Sequence, residues 1–422
     1  MGLIFADLHI HSKYSRATSN RMDIKGISEG AKIKGLDLIG TGDMAHPLWF
    51  KELKENLVES SYEGIYEHDN ILYILSNEIS LMYTQNKRGR KVHNVILAPS
   101  FEVAEQVNDW LKTRGRVDYD GRPIFGFTCP ELVENLINIS KDIMIIPAHI
   151  WTPFFGCLGS KSGFDSVEEC FQDQTKHIHA LETGLSSNPS MNWRLSNLDK
   201  FTLVSFSDSH SPWPWRLGRE CCVFDIENLS YRNIMDAIKS KDKGKFPFTL
   251  EFFPEEGKYH YDGHRNCNFS CSPKEAERLK DMCPVCKKPL TIGVLHRVEE
   301  LADRPEGFRP EGAIPYKSLI PLSEIISSVL GIDQLYSKKI WDVYNKLIKA
   351  FGSEFRILLK TPESELKTVN ERVADAIIRV RDGKVKIVPG YDGVYGSPVF
   401  NGGDRVNMSK SVKRQKSLVD FG

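Results

Sequence analysis

Charge gives this chain no obvious partner. Lysine plus arginine number 56, and so do aspartate plus glutamate. No overall field therefore draws it to nucleic acid, and only a local basic patch could do so. No apolar run approaches the eighteen or more residues of a membrane span. The opening run Leu3–Leu8 is broken by Asp7 and followed by His9 and His11. Neither a membrane anchor nor a secretory leader is expected. The nine cysteines are an odd number, and Cys129, Cys157, Cys170, Cys221 and Cys222 are scattered. A secreted disulfide framework is excluded in favour of a reducing cytosol. Internal repeats and long low-complexity tracts are also missing.

What is present is a succession of short apolar, β-rich runs through the first 250 residues. They are Leu3–Leu8, Leu36–Gly40, Ile71–Leu75, Val92–Ala98, Ile143–Ile146, Ile178–Leu181 and Thr202–Phe206. Helix-like stretches lie between most of them, among them Ile24–Ile33, Phe101–Leu111 and Glu131–Ile139. Seven strands alternating with helices predict an α/β barrel over residues 1–250. A Cys-rich module is expected over 251–312. A small helical region is expected over 313–400, where Leu322, Ile325, Ile326 and Val329, then Ile340, Tyr344 and Leu347, then Val373, Ile377 and Val380 repeat at helical spacing. Gly331, Gly352 and Gly383 are placed to stop those helices. Residues 401–422 are polar and basic, as in a flexible tail.

Polar residues of one chemical kind recur near these runs. Asp7 is followed by His9 and His11 at alternating positions, which share a face of an extended strand. GTGDMAH supplies Asp43 and His46, SNE supplies Glu78, and PAHIW supplies His149. SDSH supplies Asp208 and His210. In α/β barrels the strand C-termini share one face, where active sites are built. His9, His11, Asp43, Glu78, His149, Asp208 and His210 should therefore converge. His93 fits this rule less neatly, because it opens its run. His46 alone reads equally well as a core histidine held by backbone hydrogen bonds. The whole set does not, since unpaired imidazoles and carboxylates at so many strand ends are costly to bury. Imidazole with carboxylate suits Zn, Mn or Fe, and there are enough ligands for two or three ions.

DLHIHSKYS, GTGD, SNE, VHN, AHI and SDSH resemble the ordered motifs of the PHP (polymerase and histidinol phosphatase) family. That resemblance covers residues 1–250. It implies a distorted seven-stranded barrel and a cluster of divalent metals, Zn, Mn, Mg or Fe, that hydrolyses phosphoesters. His9, His11, Asp43, Glu78, His93, His149, Asp208 and His210 are then the ligands, with Asp208, Glu78 and His149 as catalytic residues. The chain departs from the family at Asp43-Met44, where Asp-His is common, and whether His46 replaces that ligand stays open. Bridging metals lower the pKa of bound water from ~16 towards about 7, which makes hydroxide available as the nucleophile.

NCNFSCSPKEAERLKDMCPVCKKP holds Cys267 and Cys271, then Cys283 and Cys286. Two close pairs across a short loop suit one structural zinc with four thiolates. His260, His264 and Arg265 precede it, and read either as phosphate contacts or as a solvated loop. WTPFFG follows His149, and SPWPWRLG follows His210. Trp151, Phe154, Trp213, Trp215 and Arg216 are thereby candidates for binding substrate at the metal-bearing rim. Aromatic rings there can stack on a base or wall the slot for a base taken out of the duplex. In the tail, Gln415, Leu418 and Phe421 resemble the motif that docks on the PCNA sliding clamp, although the usual second aromatic is replaced by Gly422.

Barrel, four-cysteine module, helical region and clamp-like tail together resemble the endonuclease Q enzymes, found mainly in archaea. The resemblance implies a monomeric, cytoplasmic, nucleoid-associated repair enzyme. It would act on DNA with a damaged base, cutting 5′ to hypoxanthine, uracil, xanthine or an abasic site. The alternatives are a PHP-type phosphatase of a small phosphomonoester and a non-catalytic clamp-bound DNA scaffold.

Overall fold

The computed structural model describes residues 2–400; the clamp-like residues Gln415, Leu418 and Phe421 lie outside them. Seven strands form the staves of a distorted barrel. They are β1 (Ile4–Asp7), β2 (Leu38–Gly40), β3 (Ile71–Gln85), β4 (Arg88–Ala98), β5 (Met144–Pro147), β6 (Ala180–Glu182) and β7 (Thr202–Val204). β1, β2 and β3 pair in parallel, as do β6 and β7. Beyond β5, Ile150 N–H reaches the carbonyl of Glu182 at the end of β6. The ring closes where Ile10, past β1, bridges Ser209, past β7. The alternation of each strand sorts its side chains into two cores. Ala6, Leu38 and Ile74 join one cluster, and Phe5, Ile39 and Tyr73 join the other.

The simple picture of parallel strands alternating with helices fails at β3 and β4. β3 does not stop at Leu75; it runs to Gln85 and returns directly as β4, in antiparallel register from Leu75↔Ala98 to Gln85↔Arg88. The two-residue turn is Asn86-Lys87, both with positive φ (53° and 61°). This is the type I′ geometry whose twist matches that of the flanking strands. β4 pairs antiparallel with β5 as well. Glu78 therefore sits within a strand instead of at its end. The reversed direction of β4 also explains why His93, at the start of its apolar run, faces the same site as residues at the ends of the parallel staves.

On its other edge β1 pairs with β8 (Cys221–Phe224), β8 with β9 (Phe248–Glu251), and β9 with β10 (Tyr316–Ser318). The sheet thus incorporates a strand from beyond the Cys-rich segment. The expected helices form at Leu322–Leu330, Lys338–Phe351 and Glu371–Arg381. Gly331 ends the first in the left-handed conformation (φ 65°) that glycine adopts without steric cost. The helical region is joined to the barrel by a buried ion pair. Lys34 Nζ lies 2.7 Å from Glu354 Oε1, and Glu354 also accepts from Leu322 N–H and the Tyr344 hydroxyl.

Candidate metal centre and active site

Two groups of ligand atoms converge at one mouth of the barrel. His9, His11, Glu78 and Asp208 offer donor atoms within 4.8 Å of one another, and so do Glu78, His93 and His149. Glu78 belongs to both. Its Oε2 lies 3.1 Å from His11 Nε2, and its Oε1 lies 2.6 Å from His93 Nδ1 and 3.1 Å from His149 Nε2. His11 Nε2 is 3.0 Å from Asp208 Oδ1. His9 Nε2, His11 Nε2 and Asp208 Oδ1 are buried atoms that make no hydrogen bond, although such groups are normally satisfied. Burial alone would raise the pKa of Glu78, but His93, Arg122 and His9 around it hold it well below the carboxylate range. Burial lowers that of His93 to about 4, against the pull of Glu78. An ionised carboxylate shared by two imidazole groups fits a pair of adjacent divalent ions.

The backbone is strained where it presents these ligands. His149 and Asp208 have positive φ (31° and 47°), as does Asp43 (49°). Non-glycine residues rarely adopt this region, and such strain concentrates at functional sites. At Gly184 (φ 61°) a Cβ would lie 2.5 Å from His149 Cβ, so only glycine lets that loop pass.

Asp43 does not join either metal group. Its Oδ1 lies 3.0 Å from His11 Nδ1, while Oδ2 accepts from Ser12 N–H and the hydroxyls of Ser12 and Ser15. It orients His11 from behind, as partners of metal-ligating histidines do. Glu182 does the same for His9, at 2.9 Å from Nδ1, and accepts His149 N–H at 2.7 Å. Sequence reasoning passed over Glu182, yet it closes the sixth strand just as the other acids close theirs. Asp7, which shares a face with His9, turns instead to Ser207 and Gly218, whose N–H groups it accepts. His210 lies tilted against the His11 ring at 4.4 Å, with Nδ1 at 2.9 Å from Asp208 O, and His46 stacks on Tyr14. Both lie outside the two groups.

The aromatic loops divide. Trp151 is buried, 1% exposed, with its Nε1 donating to Asn192, so its ring packs in the core and has no face for a ligand. Trp213 is 39% and Phe154 55% exposed. Trp213 stacks parallel to Trp215 with centroids 5.4 Å apart, and Trp341 of the helical region closes on both at 6.0 and 5.6 Å. Arg21 lies over the Trp213 ring, and Arg216 is exposed on the same rim.

The four predicted zinc cysteines share one small cluster, with Cys271 and Cys283 buried and Cys267 and Cys286 packed against them. The donor atoms that converge are those of His264, Cys267, Cys283 and Cys286, with His264 Nδ1 3.4 Å from Cys286 Sγ, and the expected ligand Cys271 lies outside that four-atom group. Burial would raise the Cys283 thiol, but the N–H groups of Cys286 and Val285 aimed at the sulfur pull it down to about 7. Thiols and an imidazole converging in this way fit a tetrahedral zinc.

Comparison with known proteins agrees with this geometry. Residues 321–384 match the family model described as the MJ0043 C-terminal domain. The uncharacterized protein MJ0043 of Methanocaldococcus jannaschii is 32% identical over 259 residues, which span 59% of this chain but 31% of that protein. The crystal structure of the lesion-specific endonuclease PfuEndoQ from Pyrococcus furiosus superposes with a TM-score of 0.86 at 34% identity, covering 95% of this chain and 96% of that one. This chain belongs to the endonuclease Q family. A second endonuclease Q structure, in complex with a 27-mer duplex substrate with an abasic lesion at the active site, matches at TM-score 0.84 and 33% identity over 95% of this chain and 97% of that one. Membership in the endonuclease Q family agrees with the PHP-type phosphoesterase motifs, and the two metal groups lie on those motifs.

Proposed function

We propose that this chain is a metal-dependent DNA-repair endonuclease that hydrolyses the phosphodiester 5′ to a deaminated base or an abasic site. The observation that carries this reading is the pair of ligand groups sharing Glu78, in a chain similar along nearly its whole length to an endonuclease solved on an abasic duplex. Glu78 and Asp208 with His9 and His11 would hold one divalent ion, and Glu78 with His93 and His149 the second. Bound ions of this kind lower the pKa of water from about 16 to about 7 and neutralise phosphate oxygens. Asp43 and Glu182 keep the imidazoles in the tautomer that offers Nε2 to the site.

Lesion choice falls to the rim. A deaminated base carries a carbonyl where the normal base carries an amine, a difference that a pocket can read on a base taken out of the stack. Trp213, Trp215 and Trp341 form an aromatic face that starts three residues from His210, suited to stacking on the exposed base or on its orphaned neighbour. Phe154 and Arg216 supply further contacts on the rim. The tail residues Gln415, Leu418 and Phe421 would bring the enzyme to the sliding clamp.

The test is purified protein with Mn or Mg on duplexes carrying one deoxyinosine, one deoxyuridine or one abasic site. A nick 5′ to the lesion, with the undamaged duplex uncut, is the expected result. Hydrolysis of small phosphomonoesters without nicking, or binding without cleavage, would overturn the reading.

A further inference from the structure

Arg122 lies outside every motif that the sequence singled out, yet it enters the metal centre. The segment that carries it, 119–123, is pinned across the barrel mouth. Gly121 N–H bonds the carbonyl of Tyr14 at 3.1 Å. The Asp120 carboxylate accepts the N–H groups of Arg16 and Arg122 at 3.3 and 3.2 Å. Gly121 packs so closely that a Cβ there would lie 2.2 Å from Asp43 Oδ2. With its backbone held on both sides, Arg122 places NH1 3.0 Å from Glu78 Oε2. Its side chain remains 26% exposed.

A bland account makes this a structural ion pair that neutralises a buried acid. That account is weak here, because Glu78 is the carboxylate common to both candidate metal groups. Bound ions would themselves neutralise it, leaving the guanidinium beside a positive centre with its strongest partner already engaged. A guanidinium is protonated at any pH a protein meets. A guanidinium carries five N–H donors in a planar fork that matches two oxygens of a phosphate.

We propose that Arg122 is a further catalytic residue, binding a non-bridging oxygen of the scissile phosphodiester and stabilising the charge on it as the bond breaks. In the hydrolysis a water oxygen bonds to phosphorus, the bond from phosphorus to the leaving sugar oxygen breaks, and the water's protons pass to that oxygen and to the medium. Arg122 exchanges no proton. The proposal rests on the nuclease reading for its substrate, but the anion site itself can be measured without cleavage.

The experiment compares wild type with Arg122→Ala and Arg122→Lys. It reads metal content after loading, affinity of the loaded protein for inorganic phosphate by calorimetry, and single-turnover cleavage of a lesion duplex. Arg122→Ala should keep its metals and lose on the order of 100-fold in cleavage rate, as for removal of one preorganised charge-stabilising donor. Guanidinium chloride should restore part of that rate when sodium chloride at equal ionic strength does not. Phosphate should bind about tenfold more weakly, and Arg122→Lys should fall between, keeping charge without the fork. Loss of metal in Arg122→Ala would overturn the proposal in favour of a residue that positions Glu78. So would unchanged phosphate affinity, or cleavage within threefold of wild type. If wild type itself fails to cut lesion duplexes, the nuclease reading falls while phosphate affinity still decides the role of Arg122.

Discussion

Replacing Glu182 by glutamine tests whether the metal centre depends on the carboxylate behind it. Glu182 is fully buried and serves two ligands, one from each metal group: Nδ1 of His9 at 2.9 Å and the backbone N–H of His149 at 2.7 Å. Both are donors when His9 offers Nε2 to the metal. Glutamine keeps the shape but provides one carbonyl oxygen, and its amide NH₂ must face one of the two donors. A buried donor left without an acceptor costs about 1–3 kcal/mol, which corresponds to about 5- to 150-fold in a binding or rate constant. Measured losses from partners of metal ligands, roughly 10- to 100-fold, fall in the same range. The assay is metal affinity by chelator competition, followed by cleavage of a lesion duplex at saturating metal. Affinity should fall by that factor, and excess metal should restore part of the activity. If Glu182→Gln binds metal within twofold of wild type and cuts at the wild-type rate, the view that Glu182 sets the orientation of His9 and His149 is wrong.

Asp208→Asn removes one of two carboxylates facing the candidate ions and should abolish cleavage while the circular dichroism spectrum is kept; a rate within a few-fold of wild type would refute the ligand assignment. Cys283→Ala/Cys286→Ala should lower zinc content by one per chain and expose residues 260–290 to protease, and unchanged zinc stoichiometry would sink the structural-zinc reading. Lys34→Met strands the buried Glu354 carboxylate at the joint of barrel and helical region, and should cost about 3–5 kcal/mol in denaturant unfolding; a loss below about 1 kcal/mol would show that the pair is dispensable. Trp213→Ala should keep both metals yet weaken binding of a lesion duplex by on the order of 1–3 kcal/mol, with undamaged duplex bound as before, and equal loss on both duplexes would remove Trp213 from lesion recognition.

Most of the candidate metal centre could be read from residue order, because the residues that converge there obey a local rule. A strand end in a barrel is where the chain leaves the core, so a histidine or carboxylate there can be polar without being stranded. His9, His11, His149 and Asp208 follow that rule, and period-two alternation pairs the first two on one face. The helix stops at Gly331 and Gly352 were legible for an equally local reason, the steric freedom of glycine. Other features depend on contacts between residues far apart in the chain. The extension of β3 to Gln85 and the reversal of β4 decide that Glu78 and His93 meet, and strand direction is set by pairing partners that no local pattern names. Trp151 and Trp213 look alike in sequence, each two or three residues past a histidine; only packing sends one to Asn192 in the core and the other to the rim. Arg122 shows the limit most clearly. Nothing near it marks it as special, and it reaches Glu78 because Gly121 lets one loop lie against Asp43, a fit between segments almost eighty residues apart that only the folded chain creates.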